Sequence, residues 1–202
     1  MGLALASFAA CAEPMLLAAS VTTIDRLTPA PASTVRERAG RRLALAAAYF
    51  EQGQDAVALQ EVRAALQIDP TDAQSFNLLG LIHQRQQAPE LAEQSFEQAL
   101  RMARAPAAGS ELASVQHNYG WFLCERAQYA KGQSLLQEAL AQPSYAQKVK
   151  TWVVMGDCQQ RAGQIAQAQQ SWQRALAIEP HNPWLRQRLG DTVAAPSSTP
   201  RP

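Results

Sequence analysis

The stretch FNLLGLIHQRQQAPELAEQSFEQAL, Phe76 to Leu100, decides the fold. Its apolar residues recur every three or four positions, break at Gln86-Gln87-Ala88, and resume to end in Ala99-Leu100. That is the pattern of two amphipathic helices joined by a short turn. Three further segments repeat it. LALAAAYFEQGQDAVALQEVRAALQIDP runs from Leu43 to Pro70, YGWFLCERAQYAKGQSLLQEAL from Tyr119 to Leu140, and WVVMGDCQQRAGQIAQAQQSWQRALAIEP from Trp152 to Pro180.

Counting back from each Ala-Leu pair starts the units at about 39, 73, 113 and 149, with spacings of about 34, 40 and 36 residues. The units span about 39–72, 73–106, 113–146 and 149–182. This period and pattern fit the tetratricopeptide repeat, a helix-turn-helix unit. Small residues fall where paired helices cross: Ala46, Gly80, Gly120 and Gly156 in first helices, Ala58, Ala92, Gly132 and Ala168 in second ones. Ala65, Ala99, Ala139 and Ala175 follow a turn or two later. Large residues fill the complementary sites: Leu45, Leu79, Tyr119 and Met155, then Val62, Phe96, Leu136 and Trp172. The expected fold is all-α, a tetratricopeptide-repeat superhelix of four units plus a C-terminal capping helix.

The punctuation agrees. Asp69-Pro70 and Glu179-Pro180 end second helices, where Pro blocks continuation. Gly53 and Gly163 sit in turns within units. Asn182-Pro183 supplies a cap followed by Pro at the first helical position, so WLRQRLG opens a helix over 183–193 that covers the fourth unit. The extra residues around ARAPAAGSE lengthen the loop before unit three. The repeat domain is expected over 35–193, after a Pro/Ser/Thr/Ala tether over 12–34 and before a tail, AAPSSTPRP, over 194–202.

Composition narrows the function. The net charge is +1 with both signs interspersed, so no basic stripe points to nucleic acid. No run approaches the roughly 20 apolar residues that span a bilayer. The N-terminal MGLALASFAAC, residues 1–11, reads in two ways: a bacterial signal ending in a lipobox with Cys11 acylated, or an Ala-rich terminus with a chance Cys. No basic residue precedes the apolar run, and Phe8 stands where Leu is usual.

First helices line the concave side of such arrays. That side is expected to present Leu43, Ala47 and Phe50 from unit one and Asn77, Leu81, Gln84 and Arg85 from unit two. Unit three gives His117, Trp121, Cys124 and Glu125, and unit four Val153, Asp157, Gln160 and Arg161. Trp and Arg dominate binding hot spots, so the groove is a candidate protein-docking surface, with Trp121 as anchor or as core between units. Ala47, Leu81, Trp121 and Asp157 stand where a carboxylate clamp for chaperone tails would need Asn, which excludes that use.

His117 and Cys124 lie about 10 Å apart along one helix, too far for a dyad that needs contact near ~3 Å. No paired carboxylates, phosphate loop or metal-spaced cluster appears, so no enzyme, cofactor, metal site or small-molecule substrate is expected. Cys124 and Cys158 lie on neighbouring first helices. They are either a disulfide stapling units three and four or two small buried side chains, and their register differs within the two helices.

At Asn118 to Cys124, NYGWFLC, the chain resembles the PilF/PilW family of type IV pilus biogenesis and stability lipoproteins. LAAAYFEQGQ at Leu45–Gln54, ALQEVRAALQIDP at Ala58–Pro70, FNLLGLIHQ at Phe76–Gln84 and PSYAQKVKTWVVMGDC at Pro143–Cys158 support the resemblance over about 35–185. It implies an outer-membrane lipoprotein on the periplasmic face, anchored through Cys11, that helps the pilus secretin assemble or localise by protein–protein binding. The array carries fewer units than that family usually does, which leaves a generic adaptor for another envelope or cytosolic complex as the alternative.

Overall fold

The computed structural model describes residues 34–105 and 111–194, with side chains described to residue 190. The expected lipidation site Cys11, the tether up to residue 33, loop residues 106–110 and the tail beyond 194 lie outside them.

Among the described residues the chain forms nine α-helices and no strand. Four pairs, α1 (Val35–Glu51) with α2 (Asp55–Ile68), α3 (Ala73–Arg85) with α4 (Pro89–Ala103), α5 (Leu112–Glu125) with α6 (Tyr129–Ala141) and α7 (Lys148–Arg161) with α8 (Ile165–Ile178), precede α9 (Pro183–Ala194). Each first helix packs chiefly on its own second helix, and α3, α5 and α7 pack next on the second helix of the unit before them, while consecutive first helices also touch. The fold is the expected tetratricopeptide-repeat superhelix.

The helix ends follow from local chemistry. Thr34 caps α1 in a reciprocal box: its Oγ1 accepts from the Glu37 N–H at 3.1 Å, and the Glu37 carboxylate accepts from the Thr34 N–H at 2.8 Å. The box starts α1 at Val35, a turn before the first unit's reckoned start. Asp72 caps α3, and Asn182 caps α9 by accepting from the Leu185 N–H at 3.1 Å. All four first helices close in the same left-handed motif. Its residue is Gly53 or Gly163 in units one and four (φ 75° and 77°), but Gln87 and Ala127 in units two and three (φ 58° each). In each, the next N–H reaches back across the turn, as from Gln128 to the Leu123 carbonyl at 2.8 Å, and satisfies end carbonyls.

The crossings are as tight as the small residues require. A methyl group on Gly80 would lie 2.7 Å from the Phe96 ring; on Gly120 it would lie 2.8 Å from Leu136 and 2.9 Å from the Gly132 carbonyl. Val62, Phe96, Leu136 and Trp172 are fully buried, and full burial of such a side chain contributes about 1.5–3 kcal/mol.

One expected core position fails. Leu45 is 40% exposed, whereas Leu79 packs on the Ala58–Val62 cluster, Tyr119 stacks on Phe96 at 5.6 Å, and Met155 meets Leu136. That position faces the second helix of the preceding unit, and among the described residues unit one has none. At the other end, Leu185 of α9 is fully buried against Ala168, Trp172 and Ala175. Arg188 lies 4.6 Å from the Trp172 ring, 5.1 Å from the Trp184 ring and 2.9 Å from Asp157.

Candidate functional site

First helices share one side of the stack, and their exposed turns enclose a groove of about 930 Å³. The structure brings Phe50, Leu81, Gln84, Arg85, His117, Trp121, Glu125 and Val153 round it, all positions the repeat register assigns to the concave side. Val149, Lys150 and Val154 of α7, Asn118 of α5, and Glu179 and Asn182 of the α8–α9 turn complete the lining. The register alone omitted these. The first turn of α7 and the cap of α9 both reach the groove; Asn182 and Glu179 carried a sequence signal only as helix-end residues, and Asn118 only as part of the NYGWFLC segment.

The walls are apolar and the rim is charged. Phe50, Leu81, Val149, Val153 and Trp121, which is 37% exposed, form the apolar part. Arg85 lies with its guanidinium 3.6 Å over the Phe50 ring, donates to the Phe50 carbonyl at 2.7 Å and pairs with Asp55. This locks both side chains and hides one ring face. Glu125 accepts from the Gln84 amide at 2.8 Å and lies 3.8 Å from Arg161. No ion pair engages Lys150 among the described residues.

Leu43 and Ala47 pack on the core of units one and two instead of lining the groove. Five other residues assigned to the concave face are engaged elsewhere, among them Gln160, which accepts from Arg188 of α9 at 2.7 Å. Asn77 is buried and accepts from the Asn118 amide at 3.1 Å, joining units two and three. Asp157 is turned to Arg188 of α9; burial pushes its carboxyl up, and the Arg188 guanidinium pulls against that. Arg161 is spent on Glu125 and does not line the cavity. Cys124 is buried, and its sulfur lies 1.99 Å from that of Cys158 in a disulfide, with the Cα atoms 5.4 Å apart. The side-by-side packing of α5 and α7 tolerates their difference in register. Gly132 makes room beneath it, since a methyl group there would meet the Cys124 sulfur at 2.6 Å.

His117 stands between groove and core. Its Nδ1 lies 2.8 Å from the Thr151 hydroxyl, itself 3.1 Å from the Tyr145 hydroxyl and from the Gln147 carbonyl. Burial first, and then Lys150, push the imidazole down to about 4, so it is neutral at pH 7. A neutral imidazole held by a threonine, with its neighbouring cysteine in a disulfide, forms no nucleophile–base pair. Among the described residues no group of three His, Cys, Asp or Glu side chains is placed to hold a metal ion. What the site offers is a concave apolar surface with anchored charges, suited to a protein segment.

Comparisons with known proteins match this architecture. Two tetratricopeptide-repeat profiles match residues 46–87 and 73–106. The type IV pilus assembly protein PilF of Pseudomonas aeruginosa is 27% identical over 145 residues, which cover 72% of this chain and 55% of PilF. The chain thus spans about half the length of that curated relative. The solved structure of P. aeruginosa PilF aligns with a TM-score of 0.71 at 26% identity, covering 79% of this chain and 70% of that one. The structure of PilW, a type IV pilus biogenesis factor, aligns with a TM-score of 0.69 at 27% identity, covering 77% and 69%. The similarity to PilF and PilW suggested by NYGWFLC is therefore present in sequence and in fold.

Proposed function

We propose that this tetratricopeptide-repeat protein is a periplasmic, lipid-anchored adaptor for type IV pilus biogenesis. Its first-helix groove takes a segment of the pilus secretin or its assembly machinery, promoting secretin assembly or outer-membrane localisation. The observation that carries this reading is the similarity to PilF over 145 residues. The NYGWFLC segment that marks it falls on α5, with Trp121 in the groove. The disulfide adds support, because such bonds persist in oxidising compartments like the periplasm. Acylation of Cys11 would supply the outer-membrane anchor.

The test is deletion of the gene in its own bacterium, followed by measurement of secretin multimers and surface pili. Loss of multimers in the deletion strain and in a Trp121→Ala strain, with rescue by the wild-type gene, is the expected result. Intact multimers and piliation in the deletion strain would overturn the proposal and leave a generic adaptor with another client. Cys11→Ser is expected to release the protein from the membrane fraction and abolish palmitate labelling.

A further inference from the structure

Helix α7 has a second working face. At about 100° per residue, Trp152, Met155 and Gln159 centre roughly opposite the groove-lining set of Val149, Lys150, Val153 and Val154. There α6, α7 and α8 enclose a smaller cavity of about 220 Å³. Its lining has no acidic residue and one cation, Arg174, among side chains that are mostly glutamines.

Arg174 is held but not neutralised. Its guanidinium lies 4.7 Å from the Trp152 ring centre, and among the described residues no carboxylate lies within ion-pair distance of it. Stacking on an aromatic face orients the planar fork and leaves its N–H edges free, the arrangement that grips a carboxylate in two parallel hydrogen bonds. The amides supply the complement. Gln159 is engaged, since its Oε1 accepts from the Ser171 hydroxyl at 2.7 Å, and the Gln133 amide donates to Gln164 at 3.0 Å. Gln137, Gln167 and Gln170 have no hydrogen-bond partner among the described residues. Each offers two N–H donors and an acceptor oxygen, the inventory that pairs with a peptide backbone.

We infer that this face binds an extended protein segment carrying a glutamate or aspartate, whose carboxylate docks on Arg174 and whose backbone amides pair with Gln137, Gln167 and Gln170. The cavity is smaller than the roughly 300–1,000 Å³ of sites that engulf small molecules, and suits one side chain with its flanking backbone. A sugar would compete for the Trp152 face that Arg174 already covers. The site is independent of the first-helix groove.

A short fluorescein-labelled peptide of alternating Ala and Glu, titrated with the full chain and followed by anisotropy, tests it. The Glu peptide is expected to bind roughly tenfold to a hundredfold more tightly than an Ala–Gln counterpart, as a charge-assisted pair of about 1.5–3 kcal/mol requires. Arg174→Gln removes that preference, and Arg174→Lys restores only part of it. Arg101→Gln, the same charge change on α4, and Trp121→Ala in the groove leave it intact. Helical circular dichroism of each variant separates lost binding from lost folding. Three results would overturn the inference: no binding to the wild-type chain, equal binding of the Ala–Gln peptide, or unchanged preference in Arg174→Gln. Displacement of the peptide by an N-acetylglucosamine oligomer would reassign the face to carbohydrate and overturn it equally.

Discussion

Units one and three share a template and meet different demands. Unit one crosses its helices on Ala46 and Ala58 and leaves Leu45 on the surface. Unit three crosses on Gly120 and Gly132, stacks Tyr119 on Phe96, ties Asn118 back to Asn77 and bonds Cys124 forward to Cys158. A unit with described neighbours on both sides is specified at many positions, whereas the first described unit is specified mainly along its own helix pair. In an array held by nearest-neighbour contacts, stability should therefore concentrate around unit three.

The largest effect is expected where units two and three join. Phe96→Ala removes the ring that fills the space over Gly80 and supports Tyr119, costing about 3–5 kcal/mol in urea unfolding. A loss near that of a surface change would break the contrast between the units. Cys124→Ser opens a bond spanning 34 residues and is expected to cost about 3–4 kcal/mol by loop-closure reasoning. Equal stability of wild-type protein with and without reductant would show that packing alone holds units three and four together.

Gly120→Ala should cost about 1–3 kcal/mol, because the new methyl meets Leu136 and the Gly132 carbonyl. Changing Ala46 to Gly in unit one costs about 1–2 kcal/mol, from backbone entropy and from the lost burial of its methyl group. Acid brings a separate loss. The His117 imidazole is depressed from 6.5 to about 4 in the folded state. The unfolded chain therefore takes up the proton first, and stability present above pH 6.5 is lost as pH falls toward 4. Thermal midpoints across that range should decline less in His117→Gln; parallel curves would remove His117 from the account. The smallest change is a gain. Ala127→Gly relieves a left-handed alanine in unit three and should stabilise by about 1 kcal/mol, whereas Gly53→Ala in unit one should destabilise by a comparable amount.

How much of this was legible in the sequence depends on whether a feature is periodic. The crossings were readable because a small residue recurs at each, and the groove because first-helix turns recur with it. Leu45 was misplaced because register tells where a side chain points, not whether a neighbour stands there. Asn77 and Asp157 left the groove for partners, Asn118 and Arg188, that lie in other units. Lys150 and Val149 entered it through the start of α7, a matter of where a helix begins rather than of its period. The Thr34–Glu37 box was readable one turn upstream, outside the repeat's own frame.

The Cys124–Cys158 bond also has a mechanical consequence. A stack of helix pairs pulled from its ends can lengthen by releasing one pair after another. The 34-residue stretch closed by this bond cannot contribute its length, on the order of 115 Å when extended. Tension would pass through the two sulfurs and bypass α6. Under load the middle of the chain would behave as an inextensible link, and reductant would convert it into a spring.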